Sequence, residues 1–321
     1  HLRGVRYGLL LKEASVRQQS QQPAVIWDSV DCISSLFRQA AQKSSTVRSR
    51  LAARVELART EKYEGWLTSR FDRVLTTSEI DRIGLLKLAV ARRPEQQGSG
   101  SDDGVETRVR VVPNGVDLDY FSPTAEPREP RTIVISGKMS YHANVTGVIH
   151  FVNEVMPRIW SEMPDVRLWI VGKDPPREVR KLGIAWSSVQ MPPAATNGNH
   201  DSRVVITGTV DDIRPFLHRA TLAVAPILYG AGIQNKVLEA LACGLPVVAT
   251  TGAVSALDVC PGHDLLVARD TNELAASVLS LLGNPGLRTR LGQAGRFMVE
   301  QHHQWRSIAQ GLTQIYREAH A

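Results

Sequence analysis

The stretch Tyr229-Gly230-Ala231-Gly232-Ile233-Gln234-Asn235-Lys236-Val237-Leu238-Glu239-Ala240-Leu241-Ala242-Cys243-Gly244-Leu245-Pro246-Val247-Val248-Ala249-Thr250 joins a glycine-broken turn, a short helix and a strand. The helix is predicted to open just after Gly232, where unpaired backbone N–H groups and the positive end of the helix dipole meet an incoming diphosphate. Lys236, in the first turn, adds a full charge. Glu239, one turn on, has two acceptor oxygens, enough for both hydroxyls of a ribose. Gly244 stops the helix and Pro246–Thr250 continues as a buried strand. The segment therefore reads as a nucleotide-sugar site. Taken singly its residues say less. Lys236 alone is equally a solvent-facing lysine, and Glu239 alone equally its i,i+3 partner, worth about 0.2–0.5 kcal/mol.

Working outward, the same β/α alternation fills the second half of the chain. Strands are predicted at Thr132–Ser136, Val166–Val171, Val204–Thr207, Leu222–Ala225, Val247–Ala249 and Leu265–Val267, with helices at Asn144–Ser161, Ile213–Ala220 and Gly232–Glu239. Amphipathic helices follow at Asn272–Leu282, Pro285–Glu300 and Trp305–Ala319. About six short parallel strands with helices between them describe a doubly wound sheet, which binds ligands beyond the carboxyl ends of its strands. The glycine turns at Gly137, Gly172, Gly208 and Gly230/Gly232 all fall at those ends. Convergence of four turns is stronger than any one of them, since many strand-to-helix junctions need a glycine.

The first half is shorter on strands. Pro23–Trp27, Arg73–Thr77 and Val109–Val112 read as strands, Ser34–Ser69 and Glu79–Val90 as helices, and 92–107 as a polar, glycine-rich, mobile loop. A proline-rich linker (Pro123, Pro127, Pro130) separates the halves. The expected division is a partial first domain over 1–115, a second over 116–302, and a final helix, 303–321, packing back toward the first. The chain opens on His1, and no glycine-rich turn precedes its first strand, so a truncated N-terminus is expected.

Composition narrows the classes. With 321 residues and 43% apolar content, the chain is long enough for two cores. No run approaches the length of a membrane span, and nothing at the start resembles a signal peptide. The three cysteines, Cys32, Cys243 and Cys260, are scattered, which excludes a disulfide framework and fits a reducing cytoplasm. The net charge of +6 is concentrated: residues 36–73 hold nine Arg or Lys against four acids. With apolar positions Leu51, Val55, Ala58 and Trp66 at helical spacing, that segment suits an anionic membrane surface, as a peripheral protein at the inner face, or simply a solvated helix face. Basic residues are not interleaved with aromatics, which argues against nucleic acid. Asp28 and Asp31 follow a strand at turn and helix N-cap spacing rather than forming a metal site.

Val111-Val112-Pro113-Asn114-Gly115-Val116-Asp117-Leu118-Asp119-Tyr120-Phe121, Gly137-Lys138-Met139-Ser140-Tyr141-His142-Ala143-Asn144, Trp169-Ile170-Val171-Gly172, Gly208-Thr209-Val210-Asp211-Asp212 and Ala225 through Thr250 together resemble the retaining, GT-B group 1 sugar transferases, in particular their exopolysaccharide branch. Trp27–Asp31 and Arg73–Ser78 resemble later strands of the family's acceptor domain. The resemblance implies an α/β GT-B fold of two Rossmann-like, doubly wound parallel-sheet domains, the first incomplete here. It implies a donor site of Gly137, Lys138, Asn144, Gly208, Val210, Tyr229, Gly232, Ile233, Lys236, Leu238 and Glu239. In that site Glu239 holds the ribose, amides near Gly232 and Ile233 meet the diphosphate, and Lys138, Lys236 and Glu239 serve catalysis. The family's second glutamate, eight residues before the first, is Ala231 here, which puts the identity of the sugar in doubt.

The activity so implied is transfer of a sugar from a nucleoside-diphosphate sugar to a glycan or lipid-linked acceptor, with retention, in exopolysaccharide or cell-envelope glycan synthesis. No metal and no cofactor are expected, because fixed N–H groups, a helix dipole and lysines meet the leaving group's charge. Two other readings stay open: a noncatalytic nucleotide-sugar-binding partner subunit, and a sugar-nucleotide epimerase of the same architecture. The epimerase needs carboxylates and a histidine facing the sugar, a set that the sequence does not place.

Overall fold

The computed structural model describes residues 24–43, 47–91, 107–185, 203–230 and 232–320. The polar tract at 92–106, most of the loop before Val204, and Ala231 lie outside them. The chain divides into two compact units. The first holds the residues up to Asn114, Gly232 and Ile233, and Arg306 onward; the second holds Gly115–Gly230 and Gln234–Trp305.

Unit 1 is a three-stranded parallel sheet, β1 (Ile26–Val30), β2 (Arg73–Thr76) and β3 (Val109–Val111), in that spatial order. Helices α1 (Ile33–Lys43), α2 (Val47–Thr68) and α3 (Glu79–Val90) connect the strands. Trp27, Leu67, Phe71, Val74, Leu85 and Val109 form its core. β1 begins three residues later than the sequence suggests. Asp28 does make its turn, accepting from the Val30 N–H at 3.2 Å. The cap of α1, however, is not Asp31. The buried Glu64 of α2 takes that role, accepting from the Ile33 and Ser34 N–H groups at 2.7 and 3.2 Å. A carboxylate thirty residues away leaves no local sequence mark. Along α2, Leu51, Val55 and Ala58 are exposed and Trp66 half-buried, while Ala53, Glu64, Leu67 and Thr68 are buried.

Unit 2 carries β4 (Thr132–Ser136), β5 (Arg167–Val171), β6 (Ile184–Ala185), β7 (Val204–Gly208), β8 (Leu222–Ala225), β9 (Val247–Thr250) and β10 (Leu266–Ala268). They pair in the order β10-β9-β8-β4-β5-β7-β6, every pair parallel. The helices are α4 (His142–His150), α5 (Met156–Glu162), α6 (Arg177–Arg180), α7 (Arg214–Arg219), α8 (Asn235–Ala242), α9 (Thr251–Val254), α10 (Thr271–Gly283) and α11 (Pro285–His302). The last helix, α12 (Trp305–His320), belongs from Arg306 onward to unit 1, where Glu318 accepts from Arg110 at 2.5 Å. Strands β4, β5 and β8 are buried along their whole length, as the central strands of a sheet covered on both faces must be.

Two features of unit 2 have sequence causes. The single helix expected over Asn144–Ser161 is two α-helices joined by a π-turn, Phe151–Val155. Pro157, the second residue of α5, has no N–H to give and its ring crowds the carbonyl four residues back; widening the preceding turn relieves both. Where β4 and β5 begin, Glu129 lies between two guanidinium groups, pairing with Arg167 and with Arg219, and its side chain is only 13% exposed.

Candidate functional site

The strand order reverses at β4: the chain enters the sheet at its centre, builds outward to β6 on one side, then crosses back to β8 on the other. Beyond the carboxyl ends of the two neighbours β4 and β8 the departing connections part, leaving the crevice where such sheets bind ligands.

The first wall follows β4. The Gly137 N–H donates to Val171 O at 3.0 Å and the Met139 N–H to Lys173 O at 2.9 Å, which ties the turn to the end of β5. A Cβ on Gly172, at φ +156, would overlap the Gly137 carbonyl oxygen, so the two glycines permit this approach. The turn delivers the chain to α4, whose preceding residue Tyr141 makes no side-chain hydrogen bond to the helix. The second wall follows β8. It ends in α8, and the residue before that helix, Gln234, likewise provides no side-chain cap. Two helix N-termini therefore reach the crevice without side-chain caps, each with the partial positive charge that attracts anions. Gly147 keeps them close: a Cβ there would overlap the carbonyl oxygen of Pro226 at the exit of β8.

Lys236, the second residue of α8, bridges the walls. Its Nζ donates to Asn144 Oδ1, and Asn144 Nδ2 donates to Lys138 O at 2.8 Å. Asn144 is buried and Lys236 half-buried. Burial pushes the Lys236 ammonium down to about 8, against the attraction of Glu239. Burial also raises the Glu239 carboxyl, with Lys236 opposing. The pair is a cation held ready in a poorly solvated place with a carboxylate one turn behind it.

The structure brings Gly137, Asn144, Lys236 and the Lys138 backbone into one cluster, with Glu239 beside it; the Lys138 side chain is exposed. Tyr229 reaches the same mouth, where its hydroxyl bonds His142 Nδ1, with ring centroids 5.8 Å apart. Gly208 (φ +67) and Val210 sit at the same sheet edge after β7, two strands from β4. The helix opens at Asn235, three residues after Gly232 and not directly after it. The side chain of Leu238 is fully buried in the core. Gly232 and Ile233 group with unit 1. Sequence reasoning gave no role to His142, although Tyr141-His142-Ala143-Asn144 places it two residues before Asn144. Among the described residues no group of three His, Cys, Asp or Glu side chains is placed to hold a metal ion. No helix there is long and apolar enough to cross a membrane.

An α/β chain with parallel-sheet units of this kind has the GT-B glycosyltransferase fold. Sucrose-phosphate synthase from Thermosynechococcus elongatus superposes with a TM-score of 0.64 at 22% identity, covering 95% of this chain and 70% of that one. Residues 130–284 match the family described as "Glycosyl transferases group 1". The D-inositol 3-phosphate glycosyltransferase of Salinispora arenicola is 32% identical over 261 residues, 75% of this chain and 56% of that protein. The phosphatidyl-myo-inositol mannosyltransferase of Mycobacterium tuberculosis (strain H37Rv) is 28% identical over 253 residues, 74% and 59% respectively. The chain thus spans little more than half the length of each of these two curated relatives.

Proposed function

We propose that this chain is a glycosyltransferase that binds a nucleoside-diphosphate sugar at the β4/β8 crevice and transfers the sugar with retention and without a metal ion. The observation that carries the reading is the meeting of two helix N-termini without side-chain caps, with Lys236 between them and Glu239 one turn behind. Developing negative charge on the departing diphosphate would be met by the positive dipole ends of α4 and α8 and by Lys236, groups already oriented before the reaction begins. Lys138, exposed on the loop after β4, would add a second cation. Glu239 would accept from the ribose hydroxyls. Gly208 and Val210 would line the far side of the donor.

The acceptor we propose is a phosphorylated polyol or its lipid-linked form, in cell-envelope glycan synthesis. The names of the two curated relatives support inositol-based acceptors over an exopolysaccharide role. A lipid-linked acceptor would bring the protein to a membrane surface, for which the basic, outward-facing side of α2 is available. Ala231, in place of the family's glutamate, favours one rival reading, a nucleotide-sugar-binding subunit without transfer activity.

Titration of UDP and GDP against wild type and Glu239→Ala tests the donor site, with an expected loss of about 1.5–3 kcal/mol for a charged hydrogen-bonding group. Equal binding to both proteins would sink the assignment. Incubation with UDP- and GDP-sugars and myo-inositol phosphate, followed by mass spectrometry, separates transferase from binding subunit.

A further inference from the structure

Helix α8 is eight residues long, about 12 Å at 1.5 Å per residue. So short a helix is marginal on its own, and its position along its axis is set by what holds its ends. Lys236 lies in its first turn and Glu239 one turn on. The C-terminal end is gripped by two arginines from elsewhere in unit 2. Arg296, on α11, donates to Ala242 O at 2.7 Å and also to Phe121 O at 2.8 Å. Arg128, in the connector before β4, donates to Cys243 O at 3.1 Å. Its other nitrogen reaches the last carbonyls of α7, Leu217 O at 2.8 Å and Ala220 O at 3.1 Å. Two helices thus end on one guanidinium, whose proton affinity burial has lowered. Cations at these ends are favoured by the negative end of each dipole.

The surrounding packing fits the same purpose. Gly244, just past the helix at φ +63, lies 3.6 Å from Pro123 of the connector, measured from where its Cβ would stand. On the other side, a Cβ on Gly292 of α11 would press on Gly244 O at 2.5 Å.

We infer that Arg128 and Arg296 are positioning residues for the donor site. By fixing the C-terminal end of α8 they set how far Lys236 and Glu239 project into the crevice, without touching the donor themselves. The inference rests on the donor reading above, and one arm of its test does not.

The test uses Arg128→Lys and Arg296→Lys, which keep the charge and lose the multi-pronged geometry, with Arg288→Lys as a matched control. Arg288 donates to Leu281 O and Leu282 O at the end of α10, the same chemistry on a different helix. Expected are at least fivefold weaker UDP or GDP binding for the first two variants and faster amide hydrogen exchange across residues 236–241. The control should lower the melting temperature and leave both readouts at wild type. Wild-type exchange in the Arg128 and Arg296 variants, or equal changes in the Arg288 variant, would overturn the inference. If wild type binds neither nucleotide, the donor reading fails, and the exchange arm still decides whether the two arginines hold α8.

Discussion

Lys236 and Asn144, 92 residues apart in sequence, are joined directly, the ammonium donating to the amide oxygen while the amide nitrogen donates back to Lys138 O. The asparagine aims the cation and anchors the turn after β4 at once. Asn144→Ala should therefore weaken nucleotide binding by about 1 kcal/mol, roughly fivefold, and lower the melting temperature as well, because a buried anchor of the turn is lost. Asn144→Asp should weaken it further, because a carboxylate beside Lys236 cancels the charge that the diphosphate needs. Calorimetric titration with UDP and GDP checks both, and unchanged affinity in Asn144→Ala would remove the aiming role.

Burial holds Lys236 near 8 rather than its ordinary 10.5, which fixes the sign of two pH effects. Below about 8 the side chain is charged in folded and unfolded chains alike. Between about 8 and 10.5 only the unfolded chain keeps the proton, so the contribution of this residue to stability rises with pH there. Nucleotide affinity runs the other way, falling as pH climbs through about 8. Lys236→Arg, which stays charged, should flatten that fall; an identical profile in the variant would assign the inflection to another group.

Gly147 faces the Pro226 carbonyl with no room for a methyl group. Gly147→Ala must push α4 away from the exit of β8, at a cost of about 1–3 kcal/mol from overpacking. Because that contact sets the width of the crevice, nucleotide affinity should drop as well. A stability loss in urea melts with wild-type affinity would show that the spacing of the two helix ends is not critical.

Glu129 sits between Arg167 and Arg219 at the start of the central strands. Glu129→Ala strands two partly buried cations, and a loss of about 2–4 kcal/mol is expected, read from the denaturation midpoint. Glu129→Gln should recover part of it by hydrogen bonding. Near-zero cost in the alanine variant would mean that water replaces the carboxylate.

In unit 1, Glu64→Ala uncovers the first N–H groups of α1 and should cost about 1–2 kcal/mol, the range of a lost helix cap. Asp31→Ala should not share that effect, which a pair of thermal melts distinguishes.

Much of the fold is legible in the chain because strands buried on both faces are written as unbroken apolar runs. Thr132–Ser136, Leu222–Ala225 and Glu79–Val90 are found where the sequence puts them; the cap of the last, Ser78, which accepts from the Asp81 N–H, is a feature of the structure. What escapes is set by partners distant in sequence. The two-residue β6 is too short to show a period, and the grip of Arg128 and Arg296 on α8 involves connector and helix residues more than fifty positions away. The site divides in the same way. Lys236 and Glu239 stand out because a cation in a first turn with a carboxylate one turn on has an immediate physical use. The opening of α8 at Asn235 is hidden because nothing between Gly232 and Asn235 marks a side-chain cap.

Unit 2 is laid down from its middle strand outward, first to one edge and then to the other. The two walls of the crevice are consequently made far apart in the chain, and β4, already paired with β5, keeps its other edge open until β8 arrives. Neither half holds the Lys236–Asn144 contact alone. A chain severed between β7 and β8 yields one piece with Asn144 and another with Lys236, and only their reunion restores the ammonium-to-amide contact. Nucleotide binding would then serve as a readout of complete assembly, silent for every partly formed sheet, with reconstitution kinetics limited by the pairing of β4 with β8, the long-range step that topology makes slow.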